Sequence, residues 1–100
     1  MMKTVKELKV GDKVYHITEK CDVIVYTVTS VTRSLKNESY YKIKIVSQCG
    51  LEIPYNAKEH KTQLADAEDA ILLNLSDVED ILNDRVANIY DTLKRIQDGN

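Results

Sequence analysis

From residue 10 to residue 55 the apolar residues recur at every second position, and from residue 66 onward at every third or fourth. A change from period 2 to period 3.6 predicts strands first and helices after. Val, Ile, Thr and Tyr dominate the first part, with turn residues between the runs. A first strand is expected over 13–18, entered through the Val10-Gly11-Asp12 turn. Residues 22–35 form a long β-branched stretch, with Val23, Val25 and Thr27 on one face and Ile24, Tyr26 and Val28 on the other. Strands usually run ~5–6 residues. The apolar phase weakens at Thr29 and Ser30, so a bulge is expected there, letting one strand serve two sides of a small barrel. After a polar turn at 36–39, residues 40–48 alternate cleanly, with Tyr41, Ile43 and Ile45 facing one way and Lys42 and Lys44 the other. Cys49-Gly50 turns the chain into 51–55, where Leu51, Ile53 and Tyr55 share a face. Pro54 lacks a ladder donor and places this strand at an edge.

Beyond a polar bridge at 56–62 the helical period begins. Asp66, Glu68 and Asp69 open a short helix over 66–74 with the charge sign that a helix N-terminus favours. Ser76-Asp77-Val78-Glu79 has the form of a capping box, which starts a second helix at Asp77. Its apolar positions, Val78, Ile81, Leu82, Val86, Ile89, Leu93 and Ile96, carry it to about Gln97, and Leu82, Ile89 and Ile96 lie a heptad apart. Gly99 is a suitable terminator. The expectation is an α+β chain in which a small antiparallel β-barrel of four or five strands precedes two C-terminal helices. It forms a single domain over 1–100, divided into a barrel unit at 8–63, a short helix at 64–75 and a long amphipathic helix at 76–97.

With 100 residues, 43% of them hydrophobic and 30% charged, the chain suits one globular domain with a modest core. Three Gly and one Pro are too few for a linker-rich or low-complexity protein, and no apolar run approaches the ~20 residues of a membrane span. Lys3, Lys6, Glu7 and Lys9 interrupt the first ten residues, so no export signal is expected there. The expected location is the cytoplasm, where Cys21 and Cys49 would be reduced thiols. The net charge of −2 conceals a division, because residues 1–63 hold 11 Lys/Arg against 7 Asp/Glu and residues 64–100 hold 3 against 9. A mildly basic β unit is thus joined to an acidic helical tail.

The lead-in Leu8-Lys9-Val10-Gly11-Asp12-Lys13-Val14-Tyr15, followed by one long bent strand, a hairpin and a short last strand, resembles the small SH3-like barrels. More narrowly it resembles compact proteins of phages and bacterial mobile elements, in which such a barrel closes with a short acidic, alanine-containing helix. Leu64-Ala65-Asp66-Ala67-Glu68-Asp69-Ala70-Ile71-Leu72 matches that element in character. The resemblance covers roughly residues 8–75. It implies a binding module, supplies no catalytic residues, and for a phage-encoded protein implies the host cytoplasm. The helix over 77–97 is an extension that it does not explain.

No enzyme signature is present. Gly11, Gly50 and Gly99 stand apart, so no Gly-rich loop offers consecutive amides to a phosphate, and neither a Gly-x-Ser-x-Gly elbow nor a His-Glu-x-x-His helix occurs. His16 and His60 are the only bases available to a thiol nucleophile, and nothing in the sequence places either beside Cys21 or Cys49. Those four residues lack the close ligand pairs of structural zinc sites. No metal and no cofactor are expected.

Two surfaces remain. Tyr40, Lys42 and Lys44 share a strand face in the basic half, and Lys for phosphates with Tyr for stacking is how single-strand nucleic-acid binders work. The same alternation also keeps an ordinary sheet face soluble. The C-terminal helix carries Asp77, Glu79, Asp80, Asp84 and Asp91 away from its apolar stripe. At ~1.5 Å per residue, some 21 residues span ~30 Å, more than one face of so small a barrel, so part of the stripe should overhang. The reading is a non-enzymatic protein-binding module that self-associates as a dimer, or docks on a protein partner, through Val78, Leu82, Val86, Ile89, Leu93 and Ile96. Nucleic-acid binding by the Tyr/Lys face is an alternative. A second alternative is inhibition of a host defence factor by the acidic helix face.

Overall fold

The computed structural model describes residues 2–36, 39–65 and 70–99. A single 3-10 turn, Val5–Glu7, precedes strands β1 (Lys13–Ile17), β2 (Val23–Arg33), β3 (Tyr40–Val46), β4 (Glu52–Lys58), β5 (Gln63–Leu64) and β6 (Ile71–Leu72), and one helix, α1 (Leu75–Asp98), follows them. The strands form one antiparallel sheet in the order β4-β3-β2-β1-β6-β5 that curls until β5 meets β4, giving a nearly closed barrel. The class is α+β.

Strand β2 shows why so small a barrel closes. Its register against β3 slips between Val28 and Ser30, so Val28 pairs with Ile45 and Val31 with Ile43. Tyr26 and Val28 face the core before the slip and Val31 after it. The extra residue bends the strand while keeping apolar side chains inside, as the weak phase at Thr29 and Ser30 implies. Val5, Leu8, Val14, Val28, Ile43, Ile45, Ala57, Leu64, Ile71 and Leu73 fill the interior. Gly11, with φ of +96°, makes the turn into β1, and its N–H donates to the Val28 carbonyl at 2.8 Å. The Asp12 carboxylate accepts from the Lys9 amide at 2.9 Å and from the Lys3 ammonium at 3.0 Å. Burial pushes its pKa up, but these two donors more than offset that and hold it below the ordinary carboxylate value.

Four expectations are corrected. Among the described residues the barrel has six strands, and a single helix follows it. The short helix expected over 64–75 does not form as such: Leu64 lies in β5 and Ile71 and Leu72 in β6, while Asp66 to Asp69 lie outside the described residues. The reason is burial on both sides. Ile71 and Leu73 point into the barrel and Leu72 points out beneath α1, so the run Ile71-Leu72-Leu73 is a strand with two covered faces. Third, α1 begins at Leu75, with Asn74 at the cap position, and the Ser76–Glu79 capping box is not used. The Asn74 side chain turns to the N-terminal segment, accepting from the Lys3 N–H at 2.7 Å and donating to the Lys3 carbonyl at 3.0 Å. Fourth, β4 runs on past Tyr55 to Lys58, while Leu51 stays exposed in the turn before it. Pro54 sits on β4, which is an end strand of the sheet.

Candidate interaction surface on the C-terminal helix

Helix α1 has two parts. Its first half docks on the outer side of β1 and β6, where Val78 joins Ile17 and Leu72 in a second buried cluster flanked by Tyr15, Ala70, Ile81 and Leu82. The last tie is polar: the Arg85 guanidinium donates to the Thr18 carbonyl oxygen at 2.6 Å and lies 3.7 Å from the Cys21 sulfur, both in the β1–β2 turn.

From Val86 onward every described helix residue is exposed. The apolar stripe nevertheless continues, with Val86 at 48%, Ile89 at 56%, Leu93 at 50% and Ile96 at 62% exposure. Scattered exposed apolar side chains are ordinary, but a continuous row at helical spacing is not. The Cα trace is 61 Å long and only 29 and 22 Å across, as a projecting helix requires. The interface residues expected from the sequence are therefore divided. Val78 is buried on the protein's own barrel and Leu82 is half-buried there, whereas the Val86, Ile89, Leu93 and Ile96 side chains are about half or more exposed.

The polar residues around this row are arranged consistently. Taking ~100° per residue, Asp80, Asp84, Asp91 and Asp98 fall on the side opposite the stripe. Thr92 borders it on one side and Gln97 and Tyr90 on the other, with Asn88 and Lys94 each about 120° from its centre. A shallow hollow of about 250 Å³ between Asn88, Ile89, Thr92 and Leu93 lies at the middle of the projection.

The sheet face named above is a different kind of surface. Lys44 Nζ lies 3.6 Å from a Glu52 carboxylate oxygen, which offsets its charge, and Lys42 is exposed opposite Asn56. Tyr40 is half-buried, with the Lys58 ammonium 5.8 Å from its ring centre. Lys58 and Lys61, which pattern reading passed over because they fall beyond the expected end of β4, line a cleft of about 280 Å³ with Tyr40, Asn56 and Gln63.

His16 Nδ1 is 3.2 Å from the Ala70 carbonyl oxygen, and the His16 ring lines a cleft with Tyr26, Tyr55, Ala65 and Ile71. Cys21, Cys49 and His60 are exposed. Among the described residues no three His, Cys, Asp or Glu side chains gather as a metal site, and no helix is long and apolar enough to cross a membrane. The Cys49 thiol has a lowered pKa, chiefly through the Ser47 hydroxyl 3.1 Å from its sulfur. Comparison with known proteins finds no matching family model, no matching curated protein and no matching solved structure.

Proposed function

We propose that this chain is a non-enzymatic interaction module that self-associates through the projecting half of α1. The observation that carries this reading is the exposed row Val86, Ile89, Leu93 and Ile96, which follows the Arg85 bond to the barrel. A second copy suits it, because it offers an identical apolar row whose immediate neighbours, Thr92, Tyr90 and Gln97, are uncharged. The resemblance to small SH3-like barrels of phages and mobile elements supports a binding role.

Fully burying such a side chain is worth about 1.5–3 kcal/mol. Starting half exposed, eight of them contribute roughly 10 kcal/mol before an association cost of at least ~4 kcal/mol. The balance corresponds to a Kd no tighter than tens of micromolar. Light scattering at about 100 µM tests this. The wild-type chain should show a weight-average mass well above 11.4 kDa, roughly one and a half times it, and Ile89→Asp with Leu93→Asp should return it to the monomer with unchanged near-UV circular dichroism. A wild-type monomer at that concentration would remove the reading.

A second reading rests on a separate observation, the cleft where Tyr40 meets Lys58 and Lys61. An aromatic ring flanked by ammonium groups suits a single-stranded nucleic acid. Polarisation with a labelled oligonucleotide at low salt tests it. Binding should weaken steeply with salt and with Lys58→Ala plus Lys61→Ala, and no binding at low salt would eliminate it.

A further inference from the structure

The cleft where Tyr40 meets Lys58 and Lys61 is built from donors. Its polar lining is Tyr40 from β3, Asn56 and Lys58 from β4, Lys61 from the turn after β4 and Gln63 from β5, and none of these is a carboxylate. Tyr40 stands opposite Lys58 across the β3–β4 pair, and because Tyr41 and Ala57 face the core, both point outward. The Lys61 N–H donates to the Lys58 carbonyl at 3.2 Å, closing a turn that brings the two Cα atoms within ~7 Å. That turn is pinned to its neighbours. The Glu59 N–H donates to the Ser39 carbonyl at 2.8 Å, and the Glu59 and Lys61 carbonyls accept from the Lys6 and Val5 N–H groups at 3.0 and 2.8 Å. Among the described residues neither Lys58 nor Lys61 forms an ion pair, not even with Glu59 between them.

Two ammonium groups rooted this close on a fixed turn repel one another, and a single anion that carries two charges relieves the repulsion. A phosphate monoester carries about −1.5 to −2 at pH 7 and has three strong acceptor oxygens. A diester inside a strand carries one negative charge, and its chain must leave the site on both sides. The cleft holds about 280 Å³. That is just under the ~300–1,000 Å³ of sites that enclose a drug-sized ligand, and it suits one phosphate with part of its nucleotide better than a run of bases. Donors from β3, β4, β5 and the turn surround it, as a group with three free oxygens requires. We infer that the cleft receives the terminal phosphate of a single strand. Lys58 and Lys61 pair its charge, the Asn56 and Gln63 amides donate to its oxygens, and the Tyr40 ring lies beside the terminal nucleotide. This rests on the nucleic-acid reading above and names the part of the strand that is recognised.

Fluorescence polarisation at low salt tests this with one internally labelled oligonucleotide carrying a 5′-phosphate, a 3′-phosphate or hydroxyls at both ends. A phosphorylated form should bind about fivefold tighter than the hydroxyl form, the worth of one good exposed ion pair. Lys58→Ala with Lys61→Ala should erase that gain with unchanged near-UV circular dichroism. Lys20→Ala with Lys94→Ala, which removes the same charge away from the cleft, should keep it. Equal binding of all three oligonucleotides, a gain that survives Lys58→Ala with Lys61→Ala, or one lost equally in Lys20→Ala with Lys94→Ala would overturn end recognition while leaving nucleic-acid binding intact. A phosphoserine peptide that binds as tightly as the phosphorylated strand would overturn the assignment to a strand end. No binding of any of the three would overturn both readings.

Discussion

The Arg85 guanidinium donates to the main-chain carbonyl oxygen of Thr18 at 2.6 Å, across 67 residues of sequence. Every described residue of α1 beyond it is exposed. A charged donor on a half-buried carbonyl is worth about 1.5–3 kcal/mol. Arg85→Ala should therefore lower stability by about 1–2 kcal/mol in urea unfolding, and hydrogen exchange should rise from Val86 back towards Leu82. An unchanged unfolding midpoint would mean that the apolar cluster alone holds the helix.

Asn74 ties the start of the helix to the N-terminal segment with two hydrogen bonds to Lys3. Asn74→Ala removes both and should cost about 1–2 kcal/mol. Asn74→Asp keeps the acceptor and loses the donor, so its loss should be smaller. Urea titration of the two variants side by side reads the difference. Equal losses would show that the bond from the Lys3 N–H to the side-chain oxygen contributes nothing.

Asp12 has a folded pKa below its ordinary value. Its charged form is therefore favoured by folding, and the stability it contributes is present above about pH 4 and is lost as the pH falls through the lower folded value. Asp12→Asn should be less stable than the wild-type chain at pH 6 and should differ little from it near pH 2. A difference that grows on acidification would contradict the Lys3 and Lys9 contacts.

The lowered pKa of Cys49 comes first from the Ser47 hydroxyl and then from the Leu51 amide. Alkylation of Cys49 at pH 7.5, followed by mass spectrometry, should slow in Ser47→Ala. An unchanged rate would show that the hydroxyl does not stabilise the thiolate.

Much of the barrel is legible in the chain because its strands are covered on one face. Tyr41, Ile43 and Ile45 alternate with Lys42 and Lys44, and the weak phase at Thr29 and Ser30 marks the observed slip in β2. Legibility fails where burial is two-sided or where partners are distant. Ile71-Leu72-Leu73 has no period to read, since one face meets the barrel interior and the other meets α1, and the acidic residues before it suggest a helix. Asn74 outcompetes the local Ser76–Glu79 signal through Lys3, 71 residues away. On the candidate surface, the overhang follows from helix length against barrel size. Which stripe residues are spent on the barrel does not, because Val78 and Ile89 belong to one periodic set and only the docking of α1 separates them.

Sedimentation equilibrium of the wild-type chain from about 5 to 200 µM tests self-association most directly. The weight-average mass should climb with concentration from 11.4 kDa towards twice that value and no further, since a two-fold pair is closed. A mass fixed at 11.4 kDa across that range would contradict it.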